Sequence, residues 1–146
     1  MGKLTKEEVI LLFLEDPEKL RKEILAKNII TSKEIFEIIC NLGNPELAYW
    51  YYVRSYPKEK GCQELKDLCC TDSLWAYSYA RWIQRKPCDL TRQVSCEASD
   101  TARWYAIYVD KKPLESTRTA AYKNSWDKSA YCAWEYEFEI NARKKA

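Results

Sequence analysis

Residues 72–81 read Asp-Ser-Leu-Trp-Ala-Tyr-Ser-Tyr-Ala-Arg, and related stretches begin at Asn44 and at Asp100, at equal distances on either side. Aspartate and asparagine are strong helix N-caps, and proline is favoured at the first helical position. A cap followed by a helix-starting residue also occurs at Asp16-Pro17 and at Asp127-Lys128. We therefore predict that a helix starts at each of these five positions.

The residues after each cap repeat a pattern that is typical of one helical face. Counted from the cap, positions four, seven, eight and eleven lie on the same side of a helix. The fourth position holds Leu20, Ala48, Ala76, Trp104 and Tyr131, and the eighth holds Ile24, Tyr52, Ala80, Tyr108 and Glu135. Self-similarity at a fixed period of about 28 residues is typical of stacked helical units. This face is therefore predicted to pack unit against unit.

A second helix is predicted inside each unit. The first such helix runs over 31–40, where Thr31 and Glu34 have the spacing of a capping box. Its counterparts are predicted over 58–70, 87–96 and 113–122, with the preceding turns marked by Pro57, Pro87 and Pro113. The predicted fold class is therefore all-α, a short right-handed α-α solenoid of helical pairs.

The 146 residues suit one compact domain or a short repeat array. We predict a single helical-repeat domain over 1–146. An N-terminal capping helix is predicted over 1–15 and helical pairs over 16–126. The last segment, 127–146, is predicted to be a cap helix with a basic tail, because a repeat array needs atypical units at its ends. The helix itself is expected to run from Ser125 to about Ala142.

The sequence of residues 72–80 resembles the short aromatic-rich helical repeats of phage and giant-virus proteins, whose motif reads D-P-x-x-A-Y-x-Y-A. The layout of helical pairs is also similar to short HEAT-type repeats, and the likeness covers roughly residues 16–138. This resemblance implies a fold and a binding role rather than a reaction. It also implies a narrower role, a phage product that blocks a host protein such as a defence protein.

The residue types that most catalytic and metal sites need are scarce. Histidine is absent, which removes the commonest general base and the imidazole ligands. Glycine occurs only at Gly2, Gly43 and Gly61, so there is no glycine-rich phosphate loop. The seven cysteines include no C-x-x-C pair and match no zinc spacing, although helical units could bring Cys62 near Cys88. We predict core thiols, no enzyme, no cofactor and no metal.

No apolar run approaches the roughly 18 residues that a membrane helix needs, and the N-terminus is charged rather than signal-like. The odd number of cysteines argues against a disulfide framework, and free cysteines are typical of a reducing compartment. The sequence therefore predicts a cytoplasmic protein, of the cell or of an infected host cell, that does not bind a membrane.

Tyrosines at the fifth position of three successive units form the main candidate site. If the units stack, these rings line up along one side, with tryptophans and arginines around them. The predicted partner-binding residues are Tyr49, Trp50, Trp75, Tyr77, Arg81, Trp82, Arg85 and Tyr105. Because Tyr, Trp and Arg are enriched among the residues that anchor protein interfaces, a protein partner is predicted. For most of these rings, however, packing between units is the favoured interpretation, because aromatic residues at helical spacing usually belong to a core.

Single-stranded nucleic acid is the alternative partner, since arginine combined with stacking aromatics is typical of its binding sites. Acidic residues alternate with the basic ones along the same stretch, and the net charge is only +2. This balance favours a mixed solvated surface over a phosphate-binding one.

Overall fold

The computed structural model describes residues 3–26, 32–54 and 62–145. These residues form ten α-helices and their connections, with no β-strand among them, which confirms the all-α prediction. Thr31, Pro57 and the first part of the helix predicted over 58–70 lie outside the described residues.

The first five helices are α1 (Lys6–Glu15), α2 (Pro17–Leu25), α3 (Lys33–Leu42), α4 (Pro45–Arg54) and α5 (Gln63–Cys69). The other five are α6 (Ser73–Ser78), α7 (Asp89–Ser95), α8 (Ser99–Tyr105), α9 (Glu115–Ala121) and α10 (Ser125–Lys145). Helices α6 and α8 continue without a break into wider π-helical segments, π1 (Tyr79–Gln84) and π2 (Ala106–Asp110). None of the helices in the described ranges has the length and apolar character that crossing a membrane requires.

The contacts divide the chain into two compact units, Met1–Cys69 and Cys70–Ala146. The N-terminal unit has an aliphatic and tyrosine core that includes Val9, Leu20, Ile24, Ile35, Ile39, Leu47, Tyr51 and Leu65. The core of the C-terminal unit includes one cluster of Tyr77, Ala80, Tyr105 and Val109, and another of Ala106, Ala121 and Tyr131. The single repeat domain over 1–146 stays a prediction.

Side-chain caps explain why three of the predicted helices start where they do. Asp16 accepts a hydrogen bond from the Lys19 N–H at 3.2 Å, and Asn44 accepts one from the Leu47 N–H at 3.0 Å. Asp72 caps α6 in the same way. These bonds satisfy N–H groups that have no partner inside the helix, which confirms the first three cap assignments.

Helix α3 begins one residue later than its predicted capping box. Its cap is Ser32, whose hydroxyl accepts a hydrogen bond from the Ile35 N–H at 3.2 Å. The helix ends at Gly43, where φ is 66°, a left-handed conformation that glycine adopts without steric cost. In α1 the capping box is complete, because Thr5 and Glu8 each bond the backbone N–H of the other.

The last two predicted caps, Asp100 and Asp127, are wrong, although the closing helix starts at Ser125 as predicted. Helix α8 is capped at Ala98, just before Asp100, and α10 starts after Asn124, in the turn before Asp127. The caps at positions 16, 44 and 72 therefore follow a 28-residue step, whereas those at 98 and 124 follow a 26-residue step. Asp100 instead occupies the first turn of α8, where the helix dipole favours a negative charge.

Asp127 is an ion-pair partner rather than a cap. Its carboxylate is 5% exposed and accepts hydrogen bonds from Arg103 Nε and Ser99 Oγ, both at 2.9 Å. A carboxylate removed from water to this extent needs such partners, because an unpaired buried charge is strongly unfavourable. The pair links α8 to α10 within the C-terminal unit.

Replacing Asp127 by asparagine shows whether this side chain acts as an ion-pair partner or as a helix cap. Asparagine caps a helix as well as aspartate does but cannot neutralise Arg103, so we expect the free energy of unfolding to fall by about 2 kcal/mol. Urea unfolding followed by circular dichroism measures the change. Asn124→Asp, at the actual cap, is the control and should stay within about 0.5 kcal/mol of the wild type. An unchanged stability of Asp127→Asn would contradict the ion-pair assignment.

The corrected helix starts change which tyrosines are equivalent. The seventh position after the caps at 44, 72, 98 and 124 holds four buried tyrosines, Tyr51, Tyr79, Tyr105 and Tyr131. The predicted equivalence of Tyr49, Tyr77 and Tyr105 is therefore wrong, because the fixed 28-residue step assigned Tyr105 to the position of Tyr77. The repeated tyrosine belongs to the core.

The second helices of the C-terminal unit repeat with the same 26-residue step. Residues 86–92 read Lys-Pro-Cys-Asp-Leu-Thr-Arg, and residues 112–118 read Lys-Pro-Leu-Glu-Ser-Thr-Arg. The Thr91 and Tyr105 hydroxyls lie 2.7 Å apart, and those of Thr117 and Tyr131 lie 3.0 Å apart. Each buried tyrosine hydroxyl is thus satisfied by the same residue type in the preceding helix.

Candidate binding groove

Two basic residues end the π-helical segments in the same unusual conformation. Arg85 ends π1 with φ 58°, and Lys111 ends π2 with φ 57°. The Arg85 N–H donates to the Ala80 carbonyl at 2.8 Å, which closes the wide turn. A side chain in the left-handed region costs roughly 1–2 kcal/mol compared with glycine, so this position does not by itself favour a long basic residue.

A groove of about 440 Å³ is lined by both of these helix ends in the C-terminal unit. Four cations and two aromatic rings line it, together with three small or apolar residues: Arg81, Arg85, Lys86, Lys111, Trp82, Tyr108, Ala80, Pro87 and Val109. None of these residues carries a carboxylate. Trp82 is 54% exposed and Tyr108 is 46% exposed, so both rings offer surface to a partner. We call this site the basic groove.

Arg81 organises the basic groove. Its Cζ atom lies 4.0 Å from the Tyr108 ring centroid and 4.4 Å from the Trp82 ring centroid, within the range of cation–π attraction. Its Nη1 donates to the Tyr77 hydroxyl at 2.7 Å. Burial raises the pKa of Tyr77 above its usual value, although Arg81 opposes this shift, so the hydroxyl stays neutral near pH 7. The guanidinium and both rings are therefore held in one arrangement.

The acidic residues near the groove in sequence are engaged elsewhere. The Asp110 side chain is fully buried and accepts hydrogen bonds from Arg92, the shortest at 2.7 Å. Asp89 also pairs with Arg92, at 2.9 Å. Asp110 raises the pKa of Arg92, so that guanidinium stays charged. Among the described residues, none of the four groove cations has a carboxylate within 4.0 Å.

Four of the eight predicted site residues meet at the groove. Arg81, Trp82 and Arg85 line it, and Tyr77 lies beneath Arg81 as its hydrogen-bond partner. Tyr105, by contrast, has no exposed surface. It is a core residue, because its hydroxyl accepts the Cys88 N–H at 3.0 Å and its ring packs in the Tyr77 cluster. Trp75 is half-buried on α6.

The remaining two predicted site residues, Tyr49 and Trp50, lie on α4 in the N-terminal unit. Their rings meet edge to face with centroids 5.0 Å apart. Tyr49 is 5% exposed and Trp50 is half-buried, which is the environment of packing residues. Burial raises the pKa of Tyr49 to about 12, with a further contribution from Cys69.

This pKa shift predicts a loss of stability in alkali. Because the folded-state pKa of Tyr49 lies above the unfolded value of about 10, its stabilising contribution is complete below pH 10 and falls away as the pH rises toward 12. Urea unfolding across this range should show Tyr49→Phe losing less stability than the wild type. Parallel curves for the two proteins would contradict the shift. Tyr136→Phe, at an exposed tyrosine, is the control.

Tyr108, Lys86 and Lys111 complete the groove but were not among the predicted site residues. The 28-residue step put Tyr108 at the packing position of Tyr52 and Ala80, whereas the corrected step puts Ala106 there. The available signal was the recurrence of a basic residue and Lys-Pro at 85–87 and 111–113. The equivalent ends of π1 and π2 bring their basic residues to the same groove.

The cysteines are free thiols, of which Cys69 is buried, Cys132 is exposed and the others are half-buried, so the prediction of core thiols holds fully for Cys69 only. Burial raises the pKa of Cys40 to about 11 and also raises the pKa values of Cys62 and Cys96. Raised values disfavour the reactive thiolate. Within residues 3–26, 32–54 and 62–145, no three Cys, Asp or Glu side chains are grouped as metal ligands.

Comparison of the chain with protein-family models, with characterised proteins and with solved structures finds no match. The resemblance to aromatic-rich viral repeats stays a prediction.

Proposed function

We propose that this chain is a non-enzymatic binding module that contacts a protein partner through the basic groove. The observation that carries the proposal is the arrangement of Trp82 and Tyr108, two half-exposed rings that both contact the Arg81 guanidinium. Tryptophan, tyrosine and arginine are enriched among the few residues that carry most of the binding free energy at protein interfaces. A groove that collects all three offers a compact anchor site.

The order within the groove supports this role. A partner loses affinity when binding must first freeze flexible side chains, at about 0.5–1.5 kcal/mol for each. The hydrogen bond from Arg81 to Tyr77 and the two ring contacts fix these side chains before any partner arrives. The groove is therefore preorganised for binding.

We further propose that the helical pairs stack as one α-α solenoid over 1–146, with α1 and α10 as its terminal caps. The support is the regular series of helix caps at positions 16, 44, 72, 98 and 124, together with the repeated buried tyrosine. Units of such regular length are typical of repeat arrays. The period thus shortens from a 28-residue step to a 26-residue step along the chain, rather than staying constant.

The resemblance to viral repeats supports a narrower role. In it, the chain acts in the cytoplasm of an infected cell and inhibits a host protein, such as a defence protein, by covering part of its surface. This role needs binding alone, without chemistry on a substrate.

Affinity capture from lysate of a candidate host tests the proposal, with and without nuclease, followed by mass spectrometry. The wild type should retain a protein that Trp82→Ala/Tyr108→Ala retains at least about tenfold less well, because the double variant removes both anchors. Trp126→Ala/Tyr136→Ala is the matched control, since these residues are 75% and 67% exposed in the same unit but outside the groove. Equal capture by wild type and groove variant would refute the groove as the binding surface.

A second candidate function is single-stranded nucleic-acid binding. The specific observation in its favour is that the groove combines two half-exposed aromatic residues with four cations and no carboxylate. It predicts oligonucleotide binding that weakens steeply with added salt, and loss of capture after nuclease treatment.

A further inference from the structure

We infer that the basic groove takes an acidic peptide segment of the partner protein, in which Asp or Glu side chains flank an aromatic or apolar residue. This inference rests on the proposed function and adds the chemistry of the partner. It follows from the charge of the groove, the geometry of its cations and the limited extent of the positive surface.

The positive charge of the groove favours an anionic ligand. Arg81, Arg85, Lys86 and Lys111 share one small cavity with no acidic lining residue. Four like charges at one site repel one another, and a bound carboxylate relieves this repulsion. Asp110 does not supply that relief, because its buried carboxylate is already paired with Arg92.

The conformation of two of these cations supports a ligand role over a purely structural one. Arg85 and Lys111 both occupy the left-handed conformation that glycine tolerates best. Strained backbone positions of this kind are concentrated at binding sites. At these two equivalent helix ends, a basic residue is less favourable for the backbone than glycine, but its charge lies in the groove.

The extent of the positive surface favours a peptide over a nucleic acid. Binding of a single strand needs contacts along several nucleotides, about 4–16 in known single-stranded sites. In the C-terminal unit the arginines of α7, α8 and α9 are paired with acids: Arg92 with Asp89 and Asp110, Arg103 with Asp127, and Arg118 with Glu115 and Glu135. Four cations thus share one cavity of about 440 Å³, and the arginines of these three helices do not extend its positive surface.

An acidic peptide matches both parts of the groove. A carboxylate accepts two parallel hydrogen bonds from an arginine side chain such as that of Arg85, which is exposed. The exposed surfaces of Trp82 and Tyr108 then receive the apolar or aromatic side chain next to it. Recognition of acidic motifs by clustered basic residues is a general mode of peptide binding.

The test measures binding of three probes to the full chain by calorimetry and tryptophan fluorescence at physiological salt. The probes are a peptide of Asp, Glu and Tyr residues, the same peptide with Asn and Gln in place of the acids, and a thymidine oligonucleotide. We expect the acidic peptide to bind at least about tenfold more tightly than its amide counterpart, which corresponds to one paired charge-assisted contact.

The decisive variant is Arg85→Gly/Lys111→Gly. Glycine relieves the left-handed backbone, so the melting temperature should not fall, while affinity for the acidic peptide should drop at least about tenfold. Lys144→Gly/Lys145→Gly removes the same number of charges from the end of α10, outside the groove, and should bind as the wild type does. A variant that keeps its fold and loses the peptide supports the inference.

Three results would overturn the inference, and they separate it from the proposed function. Equal binding of the acidic and amide peptides, together with groove-dependent protein capture, removes the acidic partner and leaves the binding module in place. Tighter, groove-dependent binding of the oligonucleotide assigns the site to nucleic acid. Absence of groove-dependent protein capture and of peptide binding removes both proposals.

Discussion

Asp110→Ala is expected to lower the free energy of unfolding by about 3 kcal/mol, as is typical when one partner of a buried ion pair is removed. The Asp110 side chain is fully buried, and its two oxygens accept hydrogen bonds from Nε and Nη2 of Arg92. Without Asp110, the Arg92 guanidinium keeps its charge in a site that is largely shielded from water. Urea unfolding of the full chain, followed by circular dichroism, measures the loss.

Asp89→Ala is the matched control, because Asp89 pairs with the same arginine at 2.9 Å from a fully exposed position. Exposed ion pairs contribute little, so this variant should unfold at nearly the same urea concentration as the wild type. Losses of equal size in the two variants would show that burial does not set the strength of this network.

Tyr105→Ala is expected to lower the free energy of unfolding by about 4 kcal/mol, in the range measured when a large core side chain is truncated. Tyr105 has no exposed surface and belongs to the cluster with Tyr77 and Val109. Tyr105→Phe should cost about 1–2 kcal/mol, because the Thr91 hydroxyl and the Cys88 N–H lose their shared partner. Thermal and urea unfolding give both values.

Tyr108→Ala, a little further along the chain, is the contrasting variant. Its ring is 46% exposed and lines the basic groove, so its removal should cost no more than about 1 kcal/mol. The same change should reduce partner capture. If Tyr108→Ala were as destabilising as Tyr105→Ala, Tyr108 would be a packing residue and the groove would lose one of its anchors.

Local chemistry makes part of this fold predictable. Asp16, Asn44 and Asp72 each carry the side chain that caps the helix behind it, so these starts follow from residue type and spacing alone. Ala98 has no capping side chain, and Asp100, two residues later, has the residue type of a cap without being one. Where no cap side chain exists, packing decides the helix start. The Thr91–Tyr105 hydrogen bond, which spans 14 residues, shows which register the packing favours.

The groove was only partly predictable for a related reason. Arg81, Trp82 and Arg85 lie close together in sequence, and their residue types are typical of binding sites, so the sequence predicts them as site residues. Tyr108 and Lys111 reach the same cavity from the next helical unit, which only the 26-residue step reveals.

Charge was predicted least well. Alternating acids and bases over this stretch indicated a mixed surface, yet Arg92 reaches Asp110 across 18 residues and Arg118 reaches Glu135 across 17. Pairs this far apart in sequence follow from tertiary packing, and no helical spacing rule reveals them. The first of these pairs neutralises Asp110, the acid next to the groove residue Lys111 in sequence.

Oxidative footprinting of the captured complex shows whether the partner covers the basic groove, because it compares exposed aromatic residues within one chain. We expect partner binding to protect Trp82 and Tyr108 from oxidation, whereas Trp126 and Tyr136, exposed in the same unit but outside the groove, should react as in the free protein. Unchanged oxidation of Trp82 and Tyr108, with protection at Trp126 and Tyr136, would place the partner elsewhere and refute the basic groove as the binding site.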